Sequence, residues 1–538
     1  MNPFTAATHP SGDIVDAVVI GAGPNGLVAA NVLADAGWDV LVLEAADEPG
    51  GAVRTAEITE PGFLSDLCSA FYPLGVASPV LAELELDAFG LHWRHAPAVL
   101  AHVLADDRCV LLSREPGRTV ASVAEFAEAD GDAWLRCFAD WQRIRDDLLD
   151  AITRPFPPIR AAGRLFRTLG AGDALRMARM ATLPARRFGE EHFAGVGAQV
   201  LLAGCALHTD LGPDDAGSAV FGWLLAMLGQ DVGFPVPEGG ASRIADALVR
   251  RLADRGGRIE CARPVSGVVV AGGKALGVRD AAGGLVRARR AVLADVPAPS
   301  LYRDLVGPDH VPPRLVADLD RFSWDHATLK VDWALSAPIP WTAPHASEAG
   351  VVHLDADVDG LAMFATELAT HRIPSQPFVL LGQMTTADPS RSPEGTESVW
   401  AYTHIPRRNW SRKEVQQHAD RIRQLIEKHA PGFTDRILAC RVHGPDDLER
   451  HNPSLVGGAI NGGTAAIHQQ LFFRPVPGLG RADTPIDRLF LASASAHPGG
   501  AVHGAPGANA ARAALARAGI IGPVYAGMMG TLHRLLYS

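Results

Sequence analysis

Three glycines, at positions 21, 23 and 26 of Gly21-Ala22-Gly23-Pro24-Asn25-Gly26, have the spacing G-x-G-x-x-G. The chemistry that this spacing serves is the holding of a dinucleotide pyrophosphate. The first glycine permits a tight turn, the second lets backbone approach the phosphates, and the third allows close helix–strand packing. Gly is about one residue in ten here (55 of 538), so the pattern is weak by itself. Its context strengthens it. An apolar run, Ala17-Val18-Val19-Ile20, precedes it, a helical pattern follows, and Glu44 with Ala45 beside it closes the next apolar run. A carboxylate there can accept hydrogen bonds from ribose hydroxyls. Beyond it, Gly50-Gly51-Ala52-Val53-Arg54 offers a second glycine approach and a guanidinium within reach of phosphate or ribose. Enzymes that use NAD alone do not need this second contact, and it points to FAD. For Arg54 a surface salt bridge is the competing reading.

These residues need a scaffold, and the segment Asp16–Leu43 supplies one as strand, glycine turn, helix and strand, a βαβ unit. The helix runs from Leu27 to Ala36 and stops at Gly37. A second ordered block begins at Pro237-Glu238-Gly239-Gly240, where Ser242 is placed to cap a helix reaching about Asp254. Strand-like runs follow around 265–270, 277–280 and 291–295, with Gly272-Gly273 as a hairpin turn. A third block, from Leu489 to about Ala518, reads as strand, glycine-rich turn and alanine-rich helix. The expected fold class is α/β: a Rossmann-type, glutathione-reductase-like FAD domain (1–85, 236–299, 481–538) interleaved with an α+β substrate domain (86–235, 300–480). Residues 86–235 are expected to be a mostly helical insertion, and 300–480 shows alternating strand patterns such as Thr328–Leu335 and Val399–His404.

The chain resembles the phytoene desaturase-like branch of the flavin amine oxidase superfamily. The resemblance is carried by the Val18–Leu27 block, Glu44 with Gly50-Gly51, Pro61-Gly62-Phe63, Pro237-Glu238-Gly239-Gly240, and the run from Ala496 to Gly507. It implies that the last of these lies against the flavin ring, with Gly499, Gly500, Val502 and Ala505 lining the pyrimidine edge. It also implies that Val265 or Val268 meets the adenine through its backbone. The implied activity is hydride transfer to FAD from a C–C or C–N single bond of an apolar substrate. Reduced flavin would then pass electrons to oxygen, a quinone or another carrier. Two alternatives stay open: a structural FAD in a binding or assembly factor, and amine-type oxidation of a soluble substrate.

Because the flavin accepts the hydride, the protein must mainly orient a C–H bond and exclude water. His497 and His503 flank the flavin-edge turn, where each could face substrate or relay a proton, or could hydrogen-bond backbone instead. Lys330 shares a strand face with Thr328 and Asp332; related amine oxidases carry a lysine near the flavin, and a solvated strand face is the alternative. Trp400, Tyr402 and His404 share a face that could wall a substrate cavity or serve sheet packing. Ser69, Phe71 and Tyr72 follow the N-terminal block closely enough to approach the substrate side.

The remaining features mostly exclude. A net charge of −11 gives no basic footprint for nucleic acid. Six scattered cysteines form no C-x-x-C pair, no disulfide framework and no metal site, which implies a reducing, cytoplasmic compartment. No metal is expected, because no histidine or carboxylate cluster has ligand spacing. Residues 1–15 lack the pattern of a secretory signal, and no window reaches 18 consecutive apolar residues. Against the acidic background, 151–187 holds eight arginines and one acid, Asp173, interleaved with apolar residues. A basic amphipathic stretch can lie on an anionic membrane. It can equally be a solvated face or pair with the protein's own acids.

Overall fold

The computed structural model describes residues 14–354 and 356–538. Expectations placed on residues 1–13, including the start of the first nucleotide-domain segment, lie outside them. The valine-rich runs form a parallel sheet in the strand order Arg258–Glu260, Val40–Leu43, Ile14–Ile20, Leu285–Ala294, Leu489–Leu491. Such continuous apolar runs suit strands covered on both faces. Helices Pro24–Asp35, Ser242–Asp254 and Ala505–Ala518 bury Val19, Val42 and Leu293 on one side, while Val18, Leu41 and Val292 face a second core. Strands Val265–Ala271 and Lys274–Asp280 extend the sheet as an antiparallel hairpin that joins the N-terminal part of Leu285–Ala294. Gly272 and Gly273 make its turn with φ of +57° and +71°, the left-handed pair that a two-residue hairpin requires.

The helix expected to be capped by Ser242 starts at that residue, so Ser242 is not its cap. Remote side chains satisfy the helix's first amides instead: Ala241 N–H donates to Asp66 Oδ1 at 2.9 Å, and Ser242 N–H to Thr55 Oγ1 at 3.1 Å. A strand-to-helix junction is thus tied to the segment that follows Arg54.

The second sheet has the order 437–443, 327–335, 397–405, 379–383, 349–354, 98–103, 109–112. Its neighbours are antiparallel except for the parallel pair 349–354 and 98–103. The region 86–235 is mostly helical as expected, yet it supplies the last two of these strands. Alternation along Ala327–Leu335 sends Leu329, Val331 and Trp333 into a core with the helix Arg412–His429. The opposite face of the sheet meets helices 130–153, 196–206 and 218–231 through Leu100, Val351, Leu380 and Trp400.

Candidate functional site

The glycine loop is built as its spacing implies. Gly21 has φ +92°, and a Cβ on Gly26 would lie 2.2 Å from Gly21 O, so only glycine fits that helix–strand contact. Pro24 and Asn25 open the helix. The Glu44 carboxylate braces the loop from the end of its strand: Ala22 N–H donates to Oε2 at 2.6 Å and Ala46 N–H to Oε1 at 2.8 Å, with Ala45 between. Gly50 N–H donates to Ala22 O at 2.9 Å, and a Cβ on Gly51 would come within 3.0 Å of Gly23 Cα, so the second glycine pair packs directly beneath the first. Ala52 O accepts from Ser69 N–H. The Arg54 guanidinium is engaged by Glu48, which is the salt-bridge alternative. Arg263 N–H donates to Glu44 O, which brings Val265 toward this edge, whereas Val268 is buried in the core.

The C-terminal block arrives at the same place. A Cβ on Gly507 would lie 1.9 Å from Asn25 O, so the helix Ala505–Ala518 abuts the first turn of the helix Pro24–Asp35. Ahead of it, Gly499, Ala501 and Gly504 all have positive φ. His503 Nδ1 accepts from Ala505 N–H at 3.1 Å and its Nε2 faces Gly500 O at 3.1 Å. These partners select one neutral tautomer, with Nε2–H donating, and burial pushes its pKa down to about 4. His503 therefore holds the turn. His497 is also buried, and its pKa is pushed down to about 4 by burial, with the Arg474 guanidinium and His503 adding to the push. Arg474, fully buried, donates to the carbonyls of Asn461, Thr464 and Ala494 and underlies Gly499. It went unnoticed in the sequence, where an arginine without a neighbouring acid carries no signal.

This arrangement can be tested against FAD. Among the described residues the N–H groups of Gly23 and Asn25, and those of residues 499–504, have no protein acceptor, and Asn25 Oδ1 is buried without a partner. Unpaired donors gathered at a helix N-terminus and a strained glycine turn are what a pyrophosphate and a flavin edge would satisfy. The residues present fit the cofactor.

The second sheet presents its polar face to the segment after the cradle. Ser398 Oγ donates to Leu64 O, and the Phe71 and Trp400 rings lie 6.0 Å apart. Lys330 sits directly across from Tyr402, and Asp332 across from Trp400. Lys330 is 4% exposed and ion-paired with Asp332, itself 1% exposed, so the solvated-face reading is overturned. Burial raises the Asp332 pKa against the pull of Lys330. The Cys68 thiol, pushed up to about 12 by burial, feels the Lys330 charge. Trp400 stacks on Tyr402 at 5.8 Å, and Tyr402 is edge-on to His404 at 5.7 Å. In its strand only Tyr402 is not fully buried, so the middle of this ladder keeps some accessible surface. Tyr72 lies elsewhere: its hydroxyl donates to Ser69 O and its ring packs with Trp93 in the core beside the first sheet, away from this face. Phe71, by contrast, packs against Trp400 on this face. Among the described residues no group of His, Cys, Asp or Glu side chains could hold a metal.

In the basic stretch, Arg154, Arg164, Arg176, Arg179, Arg186 and Arg187 pair with acids of the protein itself. Most of its charge is thereby neutralised internally.

Comparison with known proteins places these features in a group. The profile of "Flavin containing amine oxidoreductase" matches residues 25–515. A mouse protein named "Pyridine nucleotide-disulfide oxidoreductase domain-containing protein 2" is 30% identical over 545 residues, covering 92% of each chain. The lycopene-forming phytoene desaturase of Pseudescherichia vulneris is 25% identical over 520 residues, covering 93% of this chain and 98% of its own. The crystal structure of an oxidoreductase from Methanosarcina mazei superposes with a TM-score of 0.59 at 17% identity, covering 92% of this chain and 98% of that one.

Proposed function

The chain belongs to the flavin containing amine oxidoreductase family and is an FAD-dependent oxidoreductase, and we propose that it withdraws hydride from a C–C or C–N single bond of an apolar substrate. The observation that carries the reading is the face of Phe71, Trp400 and Tyr402, an aromatic wall interrupted by one buried ion pair, Lys330–Asp332. When bound, FAD supplies the hydride acceptor. The wall orients an apolar molecule and excludes water, and the ion pair is the group beside it that can hold a proton. His503, committed to its own turn, positions backbone N–H groups. The name of the Pseudescherichia relative, a desaturase, supports carbon–carbon chemistry. Anaerobic mixing with a polyene hydrocarbon in micelles, and separately with alkyl amines, tests this. Loss of the flavin's visible absorbance with the hydrocarbon is expected. Bleaching by amines only would move the assignment to C–N oxidation of a soluble substrate, and an unreactive flavin would make the cofactor structural.

An apolar substrate is delivered at a membrane surface, and exposed apolar side chains support a peripheral contact there. In the helix Gly522–Tyr537 the residues Val524, Met528 and Leu535 fall on one outward face, and Ile159 and Phe166 are exposed on the basic stretch. No helix among the described residues is long and apolar enough to cross a bilayer. With most arginines already paired, the attraction assigned to this contact is mainly hydrophobic.

A further inference from the structure

Two acids close on the glycine loop, and the second is Asp295. It follows the strand Leu285–Ala294 immediately, as Glu44 follows its own strand, and its N–H continues the ladder to Ile20 O at 2.8 Å. Its Oδ2 accepts the N–H of Gly26 at 2.8 Å, across 269 residues of sequence. All three glycines make room for it. A Cβ on Gly23 would lie 2.7 Å from that same oxygen, one on Gly26 3.1 Å from Asp295 Cβ, and one on Gly21 2.9 Å from Asp295 O. The loop's glycine spacing thus accommodates a carboxyl group as well as a phosphate.

The groups facing this carboxyl are few. The loop offers the N–H of Gly26 at the positive end of the helix Pro24–Asp35, and the strand two places along the sheet offers the carboxylate of Glu44. Among the described residues no basic side chain pairs with Asp295. Burial pushes its carboxyl up to about 7, with Glu44 adding to the push. A pyrophosphate brings further negative charge to a site that already holds two acids. A protonated carboxyl keeps its carbonyl oxygen for Gly26 N–H and gains an O–H to donate; an ionised one repels the incoming phosphates.

We propose that Asp295 is a positioning residue for the cofactor, holding the glycine loop through Gly26 and taking one proton from solvent when the pyrophosphate of FAD enters, so that affinity falls as the solution becomes more alkaline. The proposal rests on the FAD reading and concerns binding alone. Its test uses the purified holoprotein, diluted between about pH 6 and pH 8.5, with released flavin separated by filtration and read by fluorescence. One linked proton makes Kd rise by roughly tenfold per pH unit once the free carboxyl is ionised. Asp295→Asn keeps an acceptor for Gly26 N–H but cannot ionise, so its Kd should be flat across the range. Should that variant fail to fold, the wild-type protein stripped of flavin still decides: ADP-ribose, which carries the same doubly esterified pyrophosphate, should bind with the same slope, and adenosine with none. A flat wild-type profile, a slope retained in Asp295→Asn, or equal slopes for ADP-ribose and adenosine would overturn the proposal. A preparation that releases no FAD on denaturation would instead overturn the cofactor assignment.

Discussion

Replacing Lys330 with Met keeps the length of the side chain and removes the ammonium paired with Asp332, which is 1% exposed. Truncating one partner of a buried pair typically costs about 3–5 kcal/mol, because the remaining charge is left unpaired in a poorly solvated site. Asp332 can escape part of that cost by binding a proton, since burial already raises its pKa and Lys330 was the group lowering it. The sign follows from linkage. A carboxyl whose folded pKa lies above its unfolded value contributes stability below the unfolded value and loses it as pH rises through the folded one. Lys330→Met should therefore melt well below wild type at pH 8, and the gap should narrow toward pH 5. The double variant Lys330→Met/Asp332→Leu removes both charges and should recover most of the stability, because apolar replacement of a buried pair is often neutral or stabilising. If Lys330 also serves the chemistry, the double variant will melt like wild type while flavin reduction by substrate stays slow. Thermal unfolding followed by flavin fluorescence, with stopped-flow reduction alongside, reads both. An unchanged melting temperature in Lys330→Met, or a double variant no better than the single, would refute the buried-pair reasoning.

Glu44→Ala removes the acceptor of two loop amides, Ala22 and Ala46, and each hydrogen bond to a charged group is worth roughly 1.5–3 kcal/mol. FAD occupancy after gel filtration and melting temperature should both fall, and no change in either would detach Glu44 from the cofactor. For the peripheral contact, co-sedimentation with vesicles should persist at high salt and be lost in Val524→Glu/Met528→Glu, since burying apolar surface is insensitive to screening. Binding that salt abolishes would return the contact to the arginines, and absence of binding to any vesicle would remove it.

Much of the nucleotide scaffold was legible in the sequence because it is encoded over short spans. The glycine spacing at 21, 23 and 26, the valine runs on either side of it, the acid at 44 and the Gly272-Gly273 hairpin are each set by backbone sterics or by a period of two or 3.6 residues. The alternation along Ala327–Leu335 correctly separated Lys330 and Asp332 from Leu329 and Trp333. What alternation does not encode is the neighbour that covers each face. A lysine on a polar face is solvated or buried according to segments far away in the chain, and here the strand Glu397–Ile405 and the region around Cys68 enclose it. The same limit hid Asp295, whose partner is 269 residues distant, and Arg474, whose acceptors are carbonyls that every residue possesses. It also separated Phe71 from Tyr72, adjacent residues that enter two different cores. It gave Arg164, Arg179 and Arg186 acids contributed by other helices and loops. Local order follows from sterics and periodicity within a few residues, whereas charge pairing and burial depend on which distant segment the fold brings opposite, and that is decided only when the chain is packed.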